Sequence, residues 1–421
     1  MTISVFTPIH QQDNETVLRA YRSLCAQTVK PTEWVLLMNG KAEFWRPAGL
    51  DDAPFLVKIF SYGESGSIGT LKAVACANCS GEILVELDYD DELTPTALQD
   101  IAGVFLHMPQ AQFVYSNSIE ILPDGTNNLY GPQYGWQHRD VQVADNISGK
   151  CNVAFPEQAH YMRRIEWAPN HVRAFRQDAY LKVGGYDVSI AVGDDHDLVC
   201  RFYRAFGERG FYHIDECLYI YHIHPGNTSN GRNRNAEIQA QVDINYCRHA
   251  EAMYMRWAAD RMLPCLDLGG RIGKPEGYLS VDLLDADIIQ DLNAHRWDID
   301  DDSVGVIRAY HVLEHLDDPI NFFNECYRVL APGGFLLIEV PSINGPGAFG
   351  DPTHKRFFNT LSFEYFTNQQ YARFIQPQYS GRFQKARVHE YQWPNGIPVI
   401  SAQLIALKGW YESRWCGLKE M

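Results

Sequence analysis

The segment Leu87-Asp88-Tyr89-Asp90-Asp91-Glu92-Leu93 sets three aspartates directly after the apolar run 83–87. Carboxylates grouped this way offer hard oxygen ligands. A Mn2+ or Mg2+ ion among them can bridge two phosphate oxygens and stabilise a departing diphosphate. Asp-x-Asp also occurs at 195–197, 285–287, 298–300 and 300–302, so the triplet alone decides little. The place at the end of an apolar strand is what sets the first apart; an acidic turn or helix cap is the alternative. A second group, Gly193-Asp194-Asp195-His196-Asp197, precedes a helical pattern. Like charges crowded there are expected to raise a carboxyl pKa, which suits a base that takes a proton from a hydroxyl. The acidic first turn of an ordinary helix is the competing reading. Tyr221-His222-Ile223-His224 adds two imidazoles, either ligands or plain strand-end histidines.

These residues need a scaffold. Residues 3–7 and 33–38 are short apolar runs that predict buried strands, and 83–87 is a third. Between them, 15–27 and 67–78 carry helical spacing. Alternation of this kind predicts a doubly wound, mostly parallel sheet, in which ligands sit at the carboxyl ends of strands. Asp88 is at such an end. Gly63, Gly66 and Gly69 read as a flexible loop. Residues 127–170 are polar, aromatic and poorly periodic, which suggests a binding loop; Trp136, Arg163 and Arg164 are its candidate acceptor contacts, and Asp194 joins them. Residues 233–262 read as one long connecting helix. At 263 a second alternating pattern starts with Cys265-Leu266-Asp267-Leu268-Gly269-Gly270.

The chain has 421 residues, 46% hydrophobic and 21% charged, with a net charge of −16. That length predicts two or three globular domains. The acidity disfavours nucleic acid and anionic membrane as partners, with a modified nucleobase acceptor left open. No basic, apolar leader opens the sequence and no run of apolar residues is long enough to span a bilayer, so the expectation is a cytoplasmic protein. Cys76 and Cys79 form a C-x-x-C without a second pair, and read as buried thiols on a helix.

From residue 3 to 229 the chain resembles the inverting family-two glycosyltransferases of the GT-A fold. The motifs that carry this are Val5-Phe6-Thr7-Pro8-Ile9-His10, Ser23-Leu24-Cys25-Ala26-Gln27, Gly81-Glu82-Ile83-Leu84 followed by Asp88-Tyr89-Asp90-Asp91, Gly184-Gly185-Tyr186-Asp187, Gly193–Leu198 and Tyr221–Ser229. The resemblance implies a nucleotide-sugar donor, a UDP-sugar by preference, and an acceptor hydroxyl on a glycan or other molecule. It implies that Thr7, Pro8 and His10 line the nucleotide pocket and that Asp88 holds ribose or phosphate. Asp90 would ligate the metal, with His224, or else His222, as a further ligand, and Asp195 would be the general base. The chain departs from the family pattern in two places. Asn39 stands where an aspartate reads the base, and Lys72-Ala73 replaces Arg-Asn, Lys72 keeping a phosphate-facing charge.

From Cys265 onward the chain resembles the Rossmann-type S-adenosylmethionine-dependent methyltransferases. Glu325-Cys326-Tyr327-Arg328-Val329-Leu330-Ala331-Pro332-Gly333-Gly334 carries most of this, with His311-Val312-Leu313-Glu314-His315 and Pro352-Thr353-His354-Lys355-Arg356-Phe357. It implies S-adenosylmethionine held by Asp267, Gly269, Gly270, Asp282 and Asp291, with His311, His315 and His354 as possible bases. The reading is thus two doubly wound α/β domains: a GT-A domain over 1–232, a helical connector over 233–262, and a methyltransferase-like domain over 263–421. The implied function is metal-dependent, inverting sugar transfer, with possible methylation of the product. The alternative is a non-catalytic scaffold or binding protein.

Overall fold

Ile3–Ile9 (β1) becomes a strand because both its faces are apolar and both are covered. The computed structural model describes residues 1–9, 14–40, 49–144, 147–162, 170–227, 234–271 and 273–411. It divides into two compact units, Met1–Met253 and Tyr254–Glu420.

In the first unit β1 is followed by Asn14–Cys25 (α1), Glu33–Asn39 (β2), Leu56–Tyr62 (β3), Ile68–Ala77 (α2), Ile83–Glu86 (β4), Glu92–Leu93 (β5), Ala97–His107 (α3) and Phe113–Ile121 (β6). Gln137–Ala144 (β7), Ile147–Val153 (β8), Ala174–Arg176 (β9), Gln177–Lys182 (α4), Asp194–Phe206 (α5) and Phe211–His222 (β10) follow. The sheet runs β3-β2-β1-β4-β9-β6-β10-β5. β1 pairs in parallel with both β2 and β4, so the strand order reverses between β1 and β4. A cleft is expected outside the carboxyl ends at such a reversal. On one face Val5, Trp34, Leu36 and Val85 pack against Val17 and Leu24 of α1 and Ile101 and Phe105 of α3. On the other, Phe113, Phe175 and Phe202 form a ring cluster, with Phe113 and Phe202 edge to face at 5.2 Å.

The stretch 127–170 is more regular than its sequence suggests. β7 and β8 form an antiparallel hairpin, and β8 pairs with β6. Both hairpin faces are partly wet, so the alternation that marks a half-buried strand is faint. Gly69 also departs from the loop reading. It sits in α2, where an added Cβ would come within 2.7 Å of the Asp187 carbonyl and 2.8 Å of the Ile190 carbonyl, so it permits close packing.

Asn235–Asp260 (α6) crosses the division between the units. The second unit begins at Tyr254, ahead of the 263 read from sequence; Tyr254, Trp257 and Ala258 are buried within it, and Tyr254 stacks on Phe335 at 3.7 Å. Its strands are Cys265–Leu268 (β11), Leu279–Asp282 (β12), Ile288–Ile289 (β13), Val304–Tyr310 (β14), Leu330–Pro341 (β15), Phe383–Gln392 (β16) and Pro398–Ala406 (β17), in the order β13-β12-β11-β14-β15-β17-β16. The first five are parallel and the last two antiparallel. Pro319–Val329 (α7) is N-capped by Asp318 and packs Phe322, Phe323 and Cys326 onto the sheet. Parallel neighbours ordinarily need a crossover of a dozen or more residues, usually a helix. Here β11 reaches β12, and β12 reaches β13, without a helix among the described residues. This is a trimmed version of the doubly wound fold.

Candidate active site

A cleft of about 640 Å³ opens at the β1/β4 reversal of the first unit. Pro8, Asp88, Tyr89, Asp90, Trp136, His171, Arg173 and Asp195 are among its lining residues. The chain leaves β4 into a tight turn, where the Asp91 amide donates to the Asp88 carbonyl. The turn splits the aspartates by role. Asp91 is fully buried, accepts from the Tyr219 hydroxyl and the His222 amide at 2.9 Å each, and so anchors the turn to β10. Burial, then the neighbouring Asp90 and Asp88 charges, pushes its carboxyl well above the usual range. Asp88 and Asp90 face the cleft. Burial, then the Glu86 charge, raises Asp88 to about 7.

His224 lies 2.7 Å from Asp90, Nε2 to Oδ2. Its Nδ1 accepts from the Gly226 amide, so Nε2 carries the proton and donates to the carboxylate. A cation bound by both side chains would take that proton's place. Asn227 Nδ2 also reaches Asp90 Oδ2, at 3.3 Å. An imidazole and a carboxylate side by side at a cleft fit a divalent cation. His222 is turned elsewhere, 2.8 Å from Glu92, and ties β10 to β5.

The wall opposite is an ion-pair network. Glu86, at the buried end of β4, takes a two-pronged contact from Arg173 at 2.7 and 2.9 Å, the Lys72 ammonium at 2.8 Å and the Tyr186 hydroxyl at 2.6 Å. Lys72 also reaches Asp194 at 3.2 Å, and Arg173 reaches Asp195 at 3.2 Å. Three expectations change. The Lys72 charge, expected to face phosphate, lines the cleft but is buried between two carboxylates, which override burial and raise its pKa. Asp194, expected as an acceptor contact, lines the cleft but is buried and paired with Lys72. Asp195 is not pushed up by its neighbours. Burial acts upward and is the largest influence, but the Arg173 guanidinium and the Lys72 ammonium together outweigh it and hold the carboxyl below the usual range. The raised carboxyl is Asp194, moved to about 6 by burial, against the opposing Lys72 and with help from the Asp195 and Glu86 charges. Asp197 is structural, held by Arg201 and His249 at 2.7 and 2.8 Å.

Other assignments shift as well. The Thr7 hydroxyl accepts from the Trp34 indole at 2.8 Å in the core, away from the cleft. Pro8 does line the cleft. The Asn39 amide binds both the amide and the carbonyl of Ser65, at 2.8 and 2.9 Å, so it fixes the cleft-lining loop rather than facing a base. Trp136 lines the cleft, packed on Tyr130 and Phe155. His10, Arg163 and Arg164 lie outside the described residues.

In the second unit Gly269 and Gly270 form the turn after β11. Gly270 is obligatory by contact, since a Cβ would meet the Asp267 carboxylate at 2.4 Å and its carbonyl at 2.8 Å. Asp267 is itself buried and paired with Arg308 at 2.7 Å, so its carboxylate braces β11 against β14. Asp282 ends β12 and caps the Leu283 amide at 2.7 Å. Asp291 is exposed and closes a turn on the Asn293 amide.

Residues 271–338 match a methyltransferase domain. The match starts just past the two glycines. A "Probable S-adenosylmethionine-dependent methyltransferase" of Mycolicibacterium smegmatis is 48% identical over 42 residues, 10% of this chain and 16% of that protein. "O-antigen biosynthesis protein RfbC" of Myxococcus xanthus is 22% identical over 222 residues, 52% of this chain and 15% of that protein. The chain therefore spans about a sixth of the length of each of these curated relatives. Among solved structures, S. aureus TarS 1–349 in complex with UDP-GlcNAc superposes with a TM-score of 0.44 at 13% identity, over 62% of this chain and 71% of that one. The second unit is methyltransferase-like over residues 271–338. Among the described residues no helix is long and apolar enough to cross a membrane.

Sequence reasoning missed Glu86 and Arg173, and placed Tyr186 in a motif without a role. One signal was available: Glu86 is a charge at the end of an otherwise apolar buried strand, and such a charge needs a partner. Arg173 gave none, because its partners lie far away in sequence. In the methyltransferase-like unit, the Glu325–Gly334 motif turns out to be a brace: Glu325 takes the Trp297 amide and Arg328, which also binds the Ile299 carbonyl.

Proposed function

We propose that the first unit transfers a sugar from a nucleotide-sugar donor to an acceptor hydroxyl with inversion. One observation carries the reading: Asp88, Asp90 and Asp195 border a single cleft at the strand reversal, with Asp195 anchored by a buried arginine. Asp90 and His224 would hold a divalent cation, Mn2+ or Mg2+, which supplies positive charge against the diphosphate. Asp195 is ionised at neutral pH and ready to accept a proton. The acceptor oxygen attacks the anomeric carbon from one side as the bond to the diphosphate oxygen breaks on the other; the hydroxyl proton goes to Asp195. Arg173 fixes that carboxylate in place, and Trp136 offers a flat face to a sugar ring. A uridine donor is the preferred form.

For the methyltransferase-like unit, S-adenosylmethionine would sit at the ends of β11 and β12, near Gly269 and Asp282. The helix-free crossovers and the engaged Asp267 favour a second reading, in which this unit holds the acceptor or a partner without methylating it. The test is hydrolysis and transfer across a set of nucleotide-sugars with and without Mn2+, repeated with Asp90→Ala and Asp195→Ala. Turnover that ignores the metal and both substitutions refutes the transfer reading. Calorimetry with S-adenosylhomocysteine decides the second unit; no binding heat favours the non-methylating form.

A further inference from the structure

The carboxyl end of β14 carries a second constellation, separate from the cleft of the first unit. Chain leaving β14 passes His311 and Val312 and forms a single turn, Leu313–His315. A loop from further along returns to it: the amides of Lys355 and Arg356 both donate to the Glu314 carbonyl, at 2.8 and 3.0 Å. That clamp brings His354 beside Glu314 and His315. One carboxylate oxygen of Glu314 and one ring nitrogen of each histidine lie within 4.8 Å of one another. The two imidazoles meet edge to face, 4.9 Å between centroids.

The protons are placed for ligation. His354 Nδ1 is 2.8 Å from the Ala348 carbonyl, which can only accept, so Nδ1 holds the proton and Nε2 the lone pair. The Thr353 hydroxyl donates to Asp351 at 2.6 Å, so His315 Nδ1, 3.0 Å from the same oxygen, is the donor there and its Nε2 is also a lone pair. Histidines that bind metals usually donate their other N–H to just such partners. An independent observation concerns the carboxylate. Glu314 is 1% exposed, its Oε1 lies 3.3 Å from His311, and its Oε2 has no hydrogen-bond partner among the described residues. His311 pairs with one oxygen of the carboxylate and leaves the other, Oε2, as a buried acceptor that a bound cation would satisfy.

We propose that Glu314, His315 and His354 form a three-ligand site for a divalent transition-metal ion. Two neutral imidazoles and one carboxylate select Zn2+, Fe2+ or Co2+ over Mg2+ and Ca2+, which prefer all-oxygen shells. Metal–ligand distances of about 2.0–2.2 Å require the three side chains to close by under about an ångström. Three protein ligands leave a fourth position, so the ion can take a water or a substrate oxygen.

The test uses full-length protein carrying Asp90→Ala, which removes the proposed cation site of the first unit, titrated with Co2+ and read by visible absorption and calorimetry. One equivalent is expected to bind, to be displaced by Zn2+ and to resist a large excess of Mg2+. Adding Glu314→Gln or His354→Ala is expected to abolish it, while Thr353→Val, which removes only the outer partner of His315, weakens it roughly 10–100-fold. Glu314→Gln is nearly isosteric, and circular dichroism confirms that each variant is folded before titration. The proposal is overturned if the Asp90→Ala protein takes up no Co2+, or if folded Glu314→Gln and His354→Ala proteins take up as much as their parent.

Discussion

Replacing Lys72 with methionine probes the network that holds Asp195. Five charged groups meet there: Lys72 and Arg173 against Glu86, Asp194 and Asp195. Asp194, raised to about 6, already stands near the edge of ionisation. In Lys72→Met one guanidinium faces three carboxylates, two of them fully buried. Removing one partner of a buried pair typically costs about 3–5 kcal/mol. Protonating one aspartate sets a ceiling of about 5 kcal/mol near pH 7.5, since its unfolded pKa is about 3.9 and each unit is worth about 1.36 kcal/mol. We therefore expect a loss of about 3–5 kcal/mol near neutral pH. The sign of the pH dependence follows. With Lys72 gone, Asp194 has a folded pKa further above its unfolded one, so the folded state binds the extra proton across the window between them. Stability then rises as pH falls, by about 1.4 kcal/mol per unit, and the variant recovers roughly 2–3 kcal/mol between about pH 7.5 and 5.5. Wild type gains less over that range, because its Asp194 takes up a proton only near the lower end. Guanidinium unfolding at both pH values, followed by tryptophan fluorescence, measures the gap. A variant within about 1 kcal/mol of wild type near pH 7.5, or a gap that widens on acidification, would show that Lys72 does not hold the buried ion-pair network together.

Three further outcomes are expected. Asp195→Asn should cut sugar transfer by about 10²–10⁴-fold in kcat with little change in melting temperature, because Arg173 keeps its two-pronged hold on Glu86; equal losses in both would make Asp195 structural. Gly270→Ala should destabilise the second unit by about 1–3 kcal/mol, since the new methyl meets the Asp267 backbone as well as its side chain; an unchanged second melting transition counts against the tight turn. Glu33 is buried, and although burial alone would raise its carboxyl, Lys58, Ser4 and Ser80 lower it from 4.5 to about 2. Its contribution is present above the ordinary carboxylate value and is lost as pH falls through about 2, so the stability gap to Glu33→Gln should be full at neutral pH and close toward that value; a gap independent of pH would refute the assignment.

Much of this was legible in the linear chain. The runs at 3–7, 33–38 and 83–87 are strands because a sheet covered on both faces must be apolar on both, a property each segment carries within itself. Asp88 and Asp90 were legible for a related reason: polar residues directly after such a strand must stand at its carboxyl end. The β7–β8 hairpin was not, because half-wet faces leave a weak period. Nor was the division of labour among the aspartates. Asp90 and Asp91 are neighbours of one type, yet one faces the cleft and the other lies in the core, a difference set by Tyr219 and His222 more than a hundred residues away. The same holds for Asp194 and Asp195, whose pKa values move in opposite directions: burial and neighbouring carboxylates prevail over Lys72 at Asp194, while Arg173 and Lys72 together prevail over burial at Asp195. Local sequence thus determined which groups stand at the strand ends. Only the tertiary fold decided which stay charged, which are neutralised and which are left facing a ligand, because Coulomb and desolvation terms depend on distances in space.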